Sequence, residues 1–511
     1  MSIFSKISTI TTGTILLTSV ATAVSAVGKK PNILFIFPDQ MRRNALGIWS
    51  QKGYNNVLPT PGDPVITPNL DKLARQSAIF TRASATFPLC SPYRAMLMTG
   101  TYPHENGIEM NCYINRKSGL NLKLTTLTDV LAQNGYDTGY VGKTHWYRNL
   151  AEFDNNNNYV GVNNGTQFVN KYDTYIAPGR GRLSNRYWVQ TIGDNHFDHY
   201  IYSNQPQLVE GKKDGEAKKT HIFSPIHEAD AVVAFLKNKN GERSKDKPFS
   251  MVWAPNPPHP DYSKPEDTEV EVYNKYFRDR AIKDIFVRKN VDFNGVRGKK
   301  IQGVGPVYLS HICSIDREIG RVLDALEESG EAGNTIVVFT SDHGEMLGSH
   351  GKLGKGPILN ESFYVPFLVR YPKVIKHRIE DLNLTAVDVM PTVLGMVGLG
   401  SKIPVTVRGT DFSKGILTND YSITPKPKDA LHIISRQSRG IVTERYTYSV
   451  SLKHEPILYD NKNDIWQTKN IYPSGVSKEV LTDIQKRLGD YLNKIDDPWA
   501  KKKILNKYIK Y

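Results

Sequence analysis

Cysteine is scarce in this chain, which has three in 511 residues: Cys90, Cys112 and Cys313. Three thiols are too few for a disulfide framework, and an odd number leaves at least one unpaired within a single chain. After the N-terminal stretch, no apolar run is long enough to cross a bilayer. Motifs for DNA or RNA binding are also missing. We therefore expect neither a nucleic-acid partner nor a membrane anchor in the mature protein.

Acidic residues are outnumbered, with 51 Asp+Glu against 66 Lys+Arg and a net charge of +15. Basic proteins outside the cytoplasm tend to meet polyanions such as acidic polysaccharides. A solvated basic surface would explain the same excess. The hydrophobic content of 39% is sufficient for a large core, and a chain of this length predicts more than one domain.

The first 26 residues have the pattern of a signal peptide. Lys6 supplies the positive charge, Ile10–Val24 is largely apolar, and Val24-Ser25-Ala26 fits a cleavage site. An uncleaved N-terminal anchor is the alternative. We expect export to the periplasm or secretion, with a mature chain that starts near residue 27.

Short apolar runs alternate with helical patterns, which predicts an α/β layered fold. The runs predicted as buried parallel strands are Ile33–Phe37, Gly139–Gly142, Phe249–Ala254, Thr335–Thr340 and Val365–Tyr371. The predicted helices include one that begins at Pro68, one over Leu124–Asn134 and an amphipathic one over Ile312–Glu328.

Two regions depart from this alternation. Residues 147–243 are rich in Asn, Gly, Tyr and basic side chains, and we interpret them as an insertion that shapes the substrate groove. From about Pro404 the α/β pattern fades, so residues 404–511 are predicted to form a smaller C-terminal subdomain. That subdomain includes an exposed strand over Thr443–Ser451 and a terminal helix over Val476–Ile495.

Side chains capable of chemistry follow four of the predicted strands directly. They are Asp39 and Gln40, Lys143 and His145, His259, and Asp342 and His343. Ligands of open α/β sheets bind beyond the carboxyl ends of the strands, so we expect these groups to converge. Their oxygens suit a hard cation such as calcium, while the histidine leaves manganese and zinc open. Each acidic residue alone is also compatible with a turn or a helix cap.

Cys90 lies in the segment Pro88-Leu89-Cys90-Ser91-Pro92-Tyr93-Arg94. Proline suits the first turn of a helix, so Pro92 predicts that Cys90 lies at a helix N-terminus. Arg94 would then be close enough to help hold an anion there. A buried structural cysteine and a thiolate nucleophile activated by Arg94 are the alternatives.

These motifs resemble those of the formylglycine-dependent sulfatases of the alkaline phosphatase superfamily. Cys90-Ser91-Pro92-Tyr93-Arg94 is similar to that family's Cys-x-Pro-x-Arg core. Further similar motifs, in the family's order, are Thr99-Gly100, Gly135-Tyr136-Asp137-Thr138 with Gly142-Lys143 and His145, Pro257-Pro258-His259-Pro260, Asp342-His343-Gly344, Lys355, and Leu458-Tyr459-Asp460. The chain departs from the pattern at Tyr93, Thr144 and Gln40, where the family usually has a small residue, an aromatic residue and a second aspartate.

The resemblance implies an alkaline phosphatase-like α/β/α sandwich with a large, mostly parallel sheet and a smaller C-terminal α+β subdomain. Residues 27–403 would form the catalytic domain. A formylglycine-generating enzyme would oxidise Cys90 to formylglycine during maturation. One divalent metal, Ca²⁺, would be bound by the residue at position 90 together with Asp39, Gln40, Asp342 and His343.

The resemblance also implies a role for each remaining site residue. A hydroxyl of the hydrated formylglycine would attack sulfur with help from Arg94, while Lys143 and Lys355 would bind the sulfate oxygens. His259 would protonate the leaving sugar oxygen. His145 would take a proton from the second hydroxyl, which would expel the sulfate. Arg94, Lys143, His259 and Lys355 would therefore contact the substrate.

The implied substrate is a sulfated polysaccharide or oligosaccharide, with a carrageenan-like galactan favoured. A phosphonate or phosphate ester hydrolase of the same superfamily is an alternative, because it can carry the same cysteine core. A second alternative is a non-catalytic relative that binds polyanions. Such a protein should have lost some site residues, whereas the cysteine, arginine, lysine, histidine and aspartate positions are all retained here.

Overall fold

The computed structural model describes residues 29–113, 118–148, 173–193, 195–434, 437–502 and 504–508. The predicted signal peptide, residues 1–26, lies outside the described residues. Among the described residues, no helix combines the length and apolarity that a bilayer crossing requires.

The described residues form β-strands and α-helices in alternation over most of the chain. The strands are β1 (Asn32–Ile36), β2 (Ala78–Phe80), β3 (Asp137–Gly142), β4 (Tyr187–Ile192), β5 (His199–Ser203), β6 (Lys218–Thr220), β7 (Phe249–Ala254), β8 (Thr335–Thr340), β9 (Phe367–Arg370), β10 (Arg378–Glu380), β11 (Ala430–Ile434), β12 (Ser438–Val442), β13 (Tyr446–Ser451) and β14 (Ile457–Asp460). The helices are α1 (Pro68–Arg75), α2 (Cys90–Thr99), α3 (Pro103–Asn106), α4 (Leu127–Gln133), α5 (Ser224–Lys237), α6 (Val270–Tyr276), α7 (Ile282–Ile285), α8 (Gly298–Glu328), α9 (Asn360–Phe363), α10 (Ala386–Met396), α11 (Ser413–Thr418), α12 (Lys478–Lys494) and α13 (Pro498–Lys501).

Ten of the described strands form one sheet in the order β10-β2-β9-β8-β1-β7-β3-β4-β5-β6. The central strands β8, β1, β7, β3 and β4 are parallel to one another. The strand predicted over Val365–Tyr371 does form as β9, but it is antiparallel to β8, so the prediction of a parallel strand there was wrong. β9 starts at the edge of the sheet where β8 ends. A parallel β9 would require a connection that brings the chain back to the edge where β8 begins.

Alternating side chains of the central strands pack into two separate cores. Ile33 and Phe35 of β1 belong to the core that includes α2, α4 and α10. Leu34 and Ile36 belong to the core that includes α1, α5 and α8. Successive residues of a strand point to opposite faces, so helices cover both faces of the sheet. The predicted α/β architecture is confirmed.

The strands β4, β5 and β6, which lie within the predicted insertion, belong to the main sheet. The structure differs from the sequence-based expectations in two further places. The helix expected from Ile312 already starts at Gly298 and contains Pro306. The strand predicted as exposed over Thr443–Ser451 is mostly buried, because β13 is an inner strand of the C-terminal sheet, ordered β11-β12-β13-β14.

Candidate active site

Cys90 begins helix α2, as the position of Pro92 predicted. The helix ends at Gly100, whose φ of 64° is the left-handed conformation that glycine adopts readily. The Cys90 side chain is fully buried, with Sγ 3.2 Å from His343 Nε2 and 3.6 Å from Asp39 Oδ1. The helix N-terminus therefore presents position 90 to residues that follow β1 and β8.

Asp39, Cys90, Asp342 and His343 form a compact group of potential metal ligands. One ligand atom from each lies within 4.8 Å of all the others, and all four residues are buried. Burial and the charge of Asp39 raise the pKa of Asp342 to about 7. A divalent cation between the two carboxylates would remove this repulsion. The donor set therefore fits one such ion, and its oxygens favour a hard cation.

Two buried cationic side chains lie against these carboxylates. Arg94 Nη2 is 3.2 Å from Asp39 Oδ2 and 3.2 Å from Asp342 Oδ2. Lys143 Nζ is 2.7 Å from Asp39 Oδ2. Burial opposes ionisation of Asp39, but the attraction of Lys143 and neighbouring basic groups outweighs it and holds the pKa of Asp39 well below its usual range. Asp39 is therefore ionised near neutral pH.

Gln40 links the acidic group to Lys355. Its backbone N–H donates to Asp342 Oδ1 over 2.9 Å. Its side-chain oxygen accepts a hydrogen bond from Lys355 Nζ, and its side-chain nitrogen donates to Glu345 and Tyr262. Gln40 was predicted from the sequence to be a metal ligand. In the structure its side-chain oxygen is bonded to Lys355, which is partly exposed.

The two catalytic histidines predicted from the sequence, His145 and His259, both lie near Lys143. His145 is buried, and burial followed by the charges of Lys143 and Arg94 lowers its pKa well below the usual value. His259 is partly exposed, and its Nδ1 lies 2.7 Å from the Pro260 carbonyl oxygen. Burial and the charges of Lys143 and Lys355 lower the pKa of His259 as well. Both imidazoles are neutral at pH 7 without a bound anion.

Two polar residues of the site, Asn256 and Asp173, were missed in the sequence, and a third, Glu345, lies in the segment that follows the predicted strand Thr335–Thr340 but was given no role. Asn256 accepts from Lys143 Nζ over 3.0 Å, and its place two residues after β7 is the same signal that identified Asp39. Asp173 accepts from the Thr144 hydroxyl over 3.0 Å and from the His145 N–H over 3.3 Å, which fixes the loop that carries His145. Glu345 accepts from Gln40. No local sequence pattern marks Asp173.

A cleft of about 610 Å³ opens beside the site. Leu89, next to Cys90, and Lys355, which is bonded to Gln40, line it on one side. His432 and Tyr459 of the C-terminal sheet and Gln437 of the β11–β12 connection also line it. The cleft therefore lies between loops of the site and the C-terminal sheet. Its volume is in the range of ordinary small-ligand sites.

The sequence profile of the Sulfatase family matches residues 31–399, which is most of the chain. A second profile, the C-terminal region of N-sulphoglucosamine sulphohydrolase, matches residues 348–494. The two matches together cover the main sheet and the C-terminal sheet.

Curated relatives and solved structures agree with the profiles. An endo-4-O-sulfatase of Bacteroides thetaiotaomicron is 35% identical, covering 96% of this chain and 97% of its own length. An ulvan-active sulfatase of Formosa agariphila is 27% identical, covering 91% of this chain and 81% of its own. A structure solved in work on glycosaminoglycan metabolism by Bacteroides thetaiotaomicron superimposes with a TM-score of 0.85 at 35% identity, covering 94% of this chain and all of that one. The predicted alkaline phosphatase-like fold is confirmed, and the chain belongs to the sulfatase family, the enzymes that hydrolyse sulfate esters.

Proposed function

We propose that this sulfatase removes 4-O-sulfate groups from within a sulfated polysaccharide. The observation that carries the proposal is the buried group of Asp39, Cys90, Asp342 and His343, flanked by cationic side chains and open to a cleft through Lys355. The 35% identity to an endo-4-O-sulfatase supports the position of the sulfate. The net charge of +15 suits a polyanionic chain.

The proposed cofactors are a formylglycine derived from Cys90 and one Ca²⁺ ion. The thiol of Cys90 occupies the place of the formylglycine oxygens, and Asp39, Asp342 and His343 would complete the ion's protein ligands. Bound there, the ion would lower the pKa of the attacking hydroxyl and draw charge from the sulfate. Gln40 remains a predicted ligand, although its amide oxygen accepts a hydrogen bond from Lys355.

Arg94, Lys143 and Lys355 are proposed to bind the sulfate oxygens. Arg94 and Lys143 are buried, so their charges act with little screening by water. Their contacts with Asp39 hold them in place before the substrate arrives. Preorganised cations of this kind stabilise charge that moves onto the sulfate during S–O cleavage.

His259 and His145 are proposed as acid and base. His259 Nδ1 donates to the Pro260 carbonyl, so in the protonated ring Nε2 would carry the proton that passes to the leaving sugar oxygen. A bound sulfate ester adds a negative charge that raises the pKa of His259 and favours this proton. The depressed pKa of His145 keeps it neutral, the state that accepts a proton.

The cleft is proposed to hold the sugar residues next to the sulfate. Gln437 offers hydrogen-bonding groups there, and Tyr459 offers a hydroxyl and a ring surface. The carrageenan-like galactan favoured by the sequence remains a prediction. Export through the N-terminal signal would bring the enzyme to such polymers, and modification of Cys90 by a formylglycine-generating enzyme would have to precede burial of that side chain.

A matched substrate panel tests the proposal. Sulfate release is measured from defined glycosaminoglycan oligosaccharides sulfated at O4, O6 or O2, from carrageenan oligosaccharides, and from 4-nitrophenyl sulfate, phosphate and phenylphosphonate. We expect release from internal 4-O-sulfated residues and little turnover of the phosphorus esters. Release confined to chain ends or to O6 would contradict the proposed position, and faster phosphonate turnover would favour the hydrolase alternative.

A further inference from the structure

A second polar cavity, of about 650 Å³, lies outside the proposed active site. Arg43 comes from the loop after β1, and Thr81 and Arg82 are the two residues that follow β2. Arg445 comes from the turn between β12 and β13, and Lys462 from the segment after β14. We call it the arginine cavity. None of the residues proposed for catalysis or for the ion lines it.

Arg43 brings an unbalanced charge to this cavity. The neighbouring buried arginines are paired, Arg42 with Asp63 and Arg288 with Glu361, each at 2.6 Å. Among the described residues, Arg43 has no carboxylate partner within ion-pair distance. The cluster therefore holds three buried guanidinium groups against two carboxylates.

The contacts of Arg43 do not neutralise it. Nη1 donates to the Thr81 carbonyl over 2.7 Å, the guanidinium lies 4.4 Å from the centre of the Tyr364 ring, and Nε has no hydrogen-bond partner among the described residues. Burial lowers the pKa of Arg43 to about 10. A buried cation without a counter-charge is costly, and an anion in the adjoining cavity would offset that cost.

The other charged groups of the cavity add to this excess. Arg82 donates to Asn383 Oδ1 over 2.9 Å and to the Thr443 carbonyl over 3.3 Å, both neutral acceptors. Arg445 is paired with Asp460 at 2.7 Å. Lys462 is exposed, and Glu444 is the acidic lining residue. Even with Arg445 neutralised by its partner, the basic lining residues outnumber the acidic one.

The cavity lies along the same edge of the main sheet as the active site. β2 and β8 both run antiparallel to β9, so β2 and β8 point the same way and end at the same edge. Arg82 follows β2 closely, and Asp342 follows β8. The two strands are two positions apart in the sheet, which corresponds to about 10 Å between the two strand ends. The cavity and the active site are thus near neighbours along this edge, and a saccharide chain of several residues is longer than the spacing of the strand ends.

We infer that the arginine cavity binds a sulfate or carboxylate group on a second sugar residue of the chain whose sulfate ester occupies the active site. The nature of that chain rests on the proposed function, whereas the charge excess of the cavity does not. Guanidinium groups bind oxyanions through paired hydrogen bonds, which suits both substituents. The second contact would favour long substrates over short ones and would position the chain for cleavage of internal sulfates.

Charge variants at the exposed rim test the inference without disturbing the core. Lys462→Glu should weaken binding of a long polyanion, and Glu444→Lys should strengthen it. Lys402→Glu is the matched control, because Lys402 is also an exposed lysine but does not line the cavity. All are made in the full chain with Cys90→Ala, so that binding is measured without turnover.

The probes are a 4-O-sulfated glycosaminoglycan octasaccharide, the corresponding disaccharide and inorganic sulfate, with Kd measured by calorimetry. For Lys462→Glu we expect about a fivefold higher Kd for the octasaccharide and no change for the disaccharide, with the opposite shift for Glu444→Lys. Equal shifts with Lys402→Glu would show that only overall charge matters and would overturn the inference. A higher Kd for inorganic sulfate alone, with the Kd of the octasaccharide unchanged, would also overturn the inference.

Turnover separates this inference from the proposed function. For this measurement Lys462→Glu is made in the full chain with Cys90 intact. If wild-type enzyme releases sulfate from the octasaccharide but Lys462→Glu leaves the octasaccharide-to-disaccharide ratio of kcat/KM unchanged, the cavity is not a chain site and the proposed function stands. If the wild type releases no sulfate from any saccharide while the Kd shifts are found, the cavity binds polyanions and the proposed function fails.

Discussion

Lys143 Nζ lies 2.7 Å from Asp39 Oδ2, and neither side chain is more than marginally exposed. The same ammonium group donates to Asn256 Oδ1 over 3.0 Å. The pair therefore fixes a cation beside the potential metal ligands and keeps Asp39 ionised. A buried charge in this position is costly unless it serves an anionic ligand or holds its partner in place.

Replacement of Lys143 by methionine removes the charge and keeps most of the side-chain volume. We expect kcat/KM for 4-nitrophenyl sulfate to fall by about 100-fold or more, because a preorganised cation at the reacting group is lost. Lys123→Met, at an exposed lysine, is the control and should retain wild-type activity. A Lys143→Met enzyme within a few fold of wild type would remove this residue from the sulfate site.

Modification of Cys90 should depend on the folding state. The side chain is fully buried in the folded protein, so a modifying enzyme can reach it only in the unfolded chain. Peptide mass spectrometry of active protein should find formylglycine at position 90 and intact thiols at Cys112 and Cys313, which are buried cysteines that serve as internal controls. Cys90→Ala should abolish sulfate release. Full activity with an unmodified Cys90 would contradict the proposed nucleophile.

Calcium should raise the melting temperature through the cluster of Asp39, Asp342 and His343. A ligand that binds only the folded state at 100 times its Kd stabilises it by about 2.7 kcal/mol. Asp342→Asn should abolish the calcium-dependent shift, because it removes one carboxylate ligand. It should not lower the melting temperature in EDTA at pH 8, because burial and Asp39 already disfavour the ionised form of Asp342.

Asp230→Asn is the matched control for that measurement, since Asp230 is an exposed aspartate far from the cluster in sequence. Its calcium-dependent shift should equal that of the wild type. A shift that survives Asp342→Asn would place the stabilising ion elsewhere.

Loss of His259 should harm some substrates more than others. A sugar alkoxide is a poor leaving group that needs a proton, whereas a nitrophenolate leaves without one. We expect His259→Ala to lower kcat/KM about 100-fold for a saccharide sulfate and less than about tenfold for 4-nitrophenyl sulfate. Equal losses on both would contradict a role as general acid and would indicate that His259 only shapes the site.

The central sheet and the site that it carries could be predicted because buried parallel strands and the groups at their ends leave a local signal. Phe249–Ala254 is an apolar run bounded by prolines and Thr335–Thr340 is one bounded by polar residues, and the structure has strands at the same bounds. Asp39 and Asp342 follow such strands directly. Their convergence required only that neighbouring parallel strands end at one edge.

The elements that were wrong or missed depend on contacts distant in sequence. The direction of β9 is set by its pairing with β8, which the composition of Phe367–Arg370 does not encode. Thr447 looked exposed, but it is buried where Gln467 donates to its hydroxyl over 3.0 Å. Asp173 reaches Thr144 and His145 across the fold, so no local pattern could have assigned it.

Protonation of His432 should weaken the fold in acid. The ring is buried, its Nε2 lies 3.1 Å from the Gly356 carbonyl next to Lys355, and burial lowers its pKa to about 4. The unfolded chain binds this proton near pH 6.5, so the contribution to stability is complete above that pH and is lost as the pH falls towards 4. The expected loss over that window is about 3 kcal/mol.

His432→Gln keeps a donor for the Gly356 carbonyl but cannot take up a proton. In urea unfolding at pH 7.5 and at pH 4.5, the variant should lose less free energy of unfolding than the wild type, by up to about 3 kcal/mol. His454→Gln, the same substitution at an exposed histidine, is the matched control, and its loss should equal that of the wild type. The remaining buried histidines titrate identically in all three proteins, so the difference isolates His432. Parallel acid sensitivity in His432→Gln and wild type would show that this ring does not control the contact between the C-terminal sheet and the loop that carries Lys355.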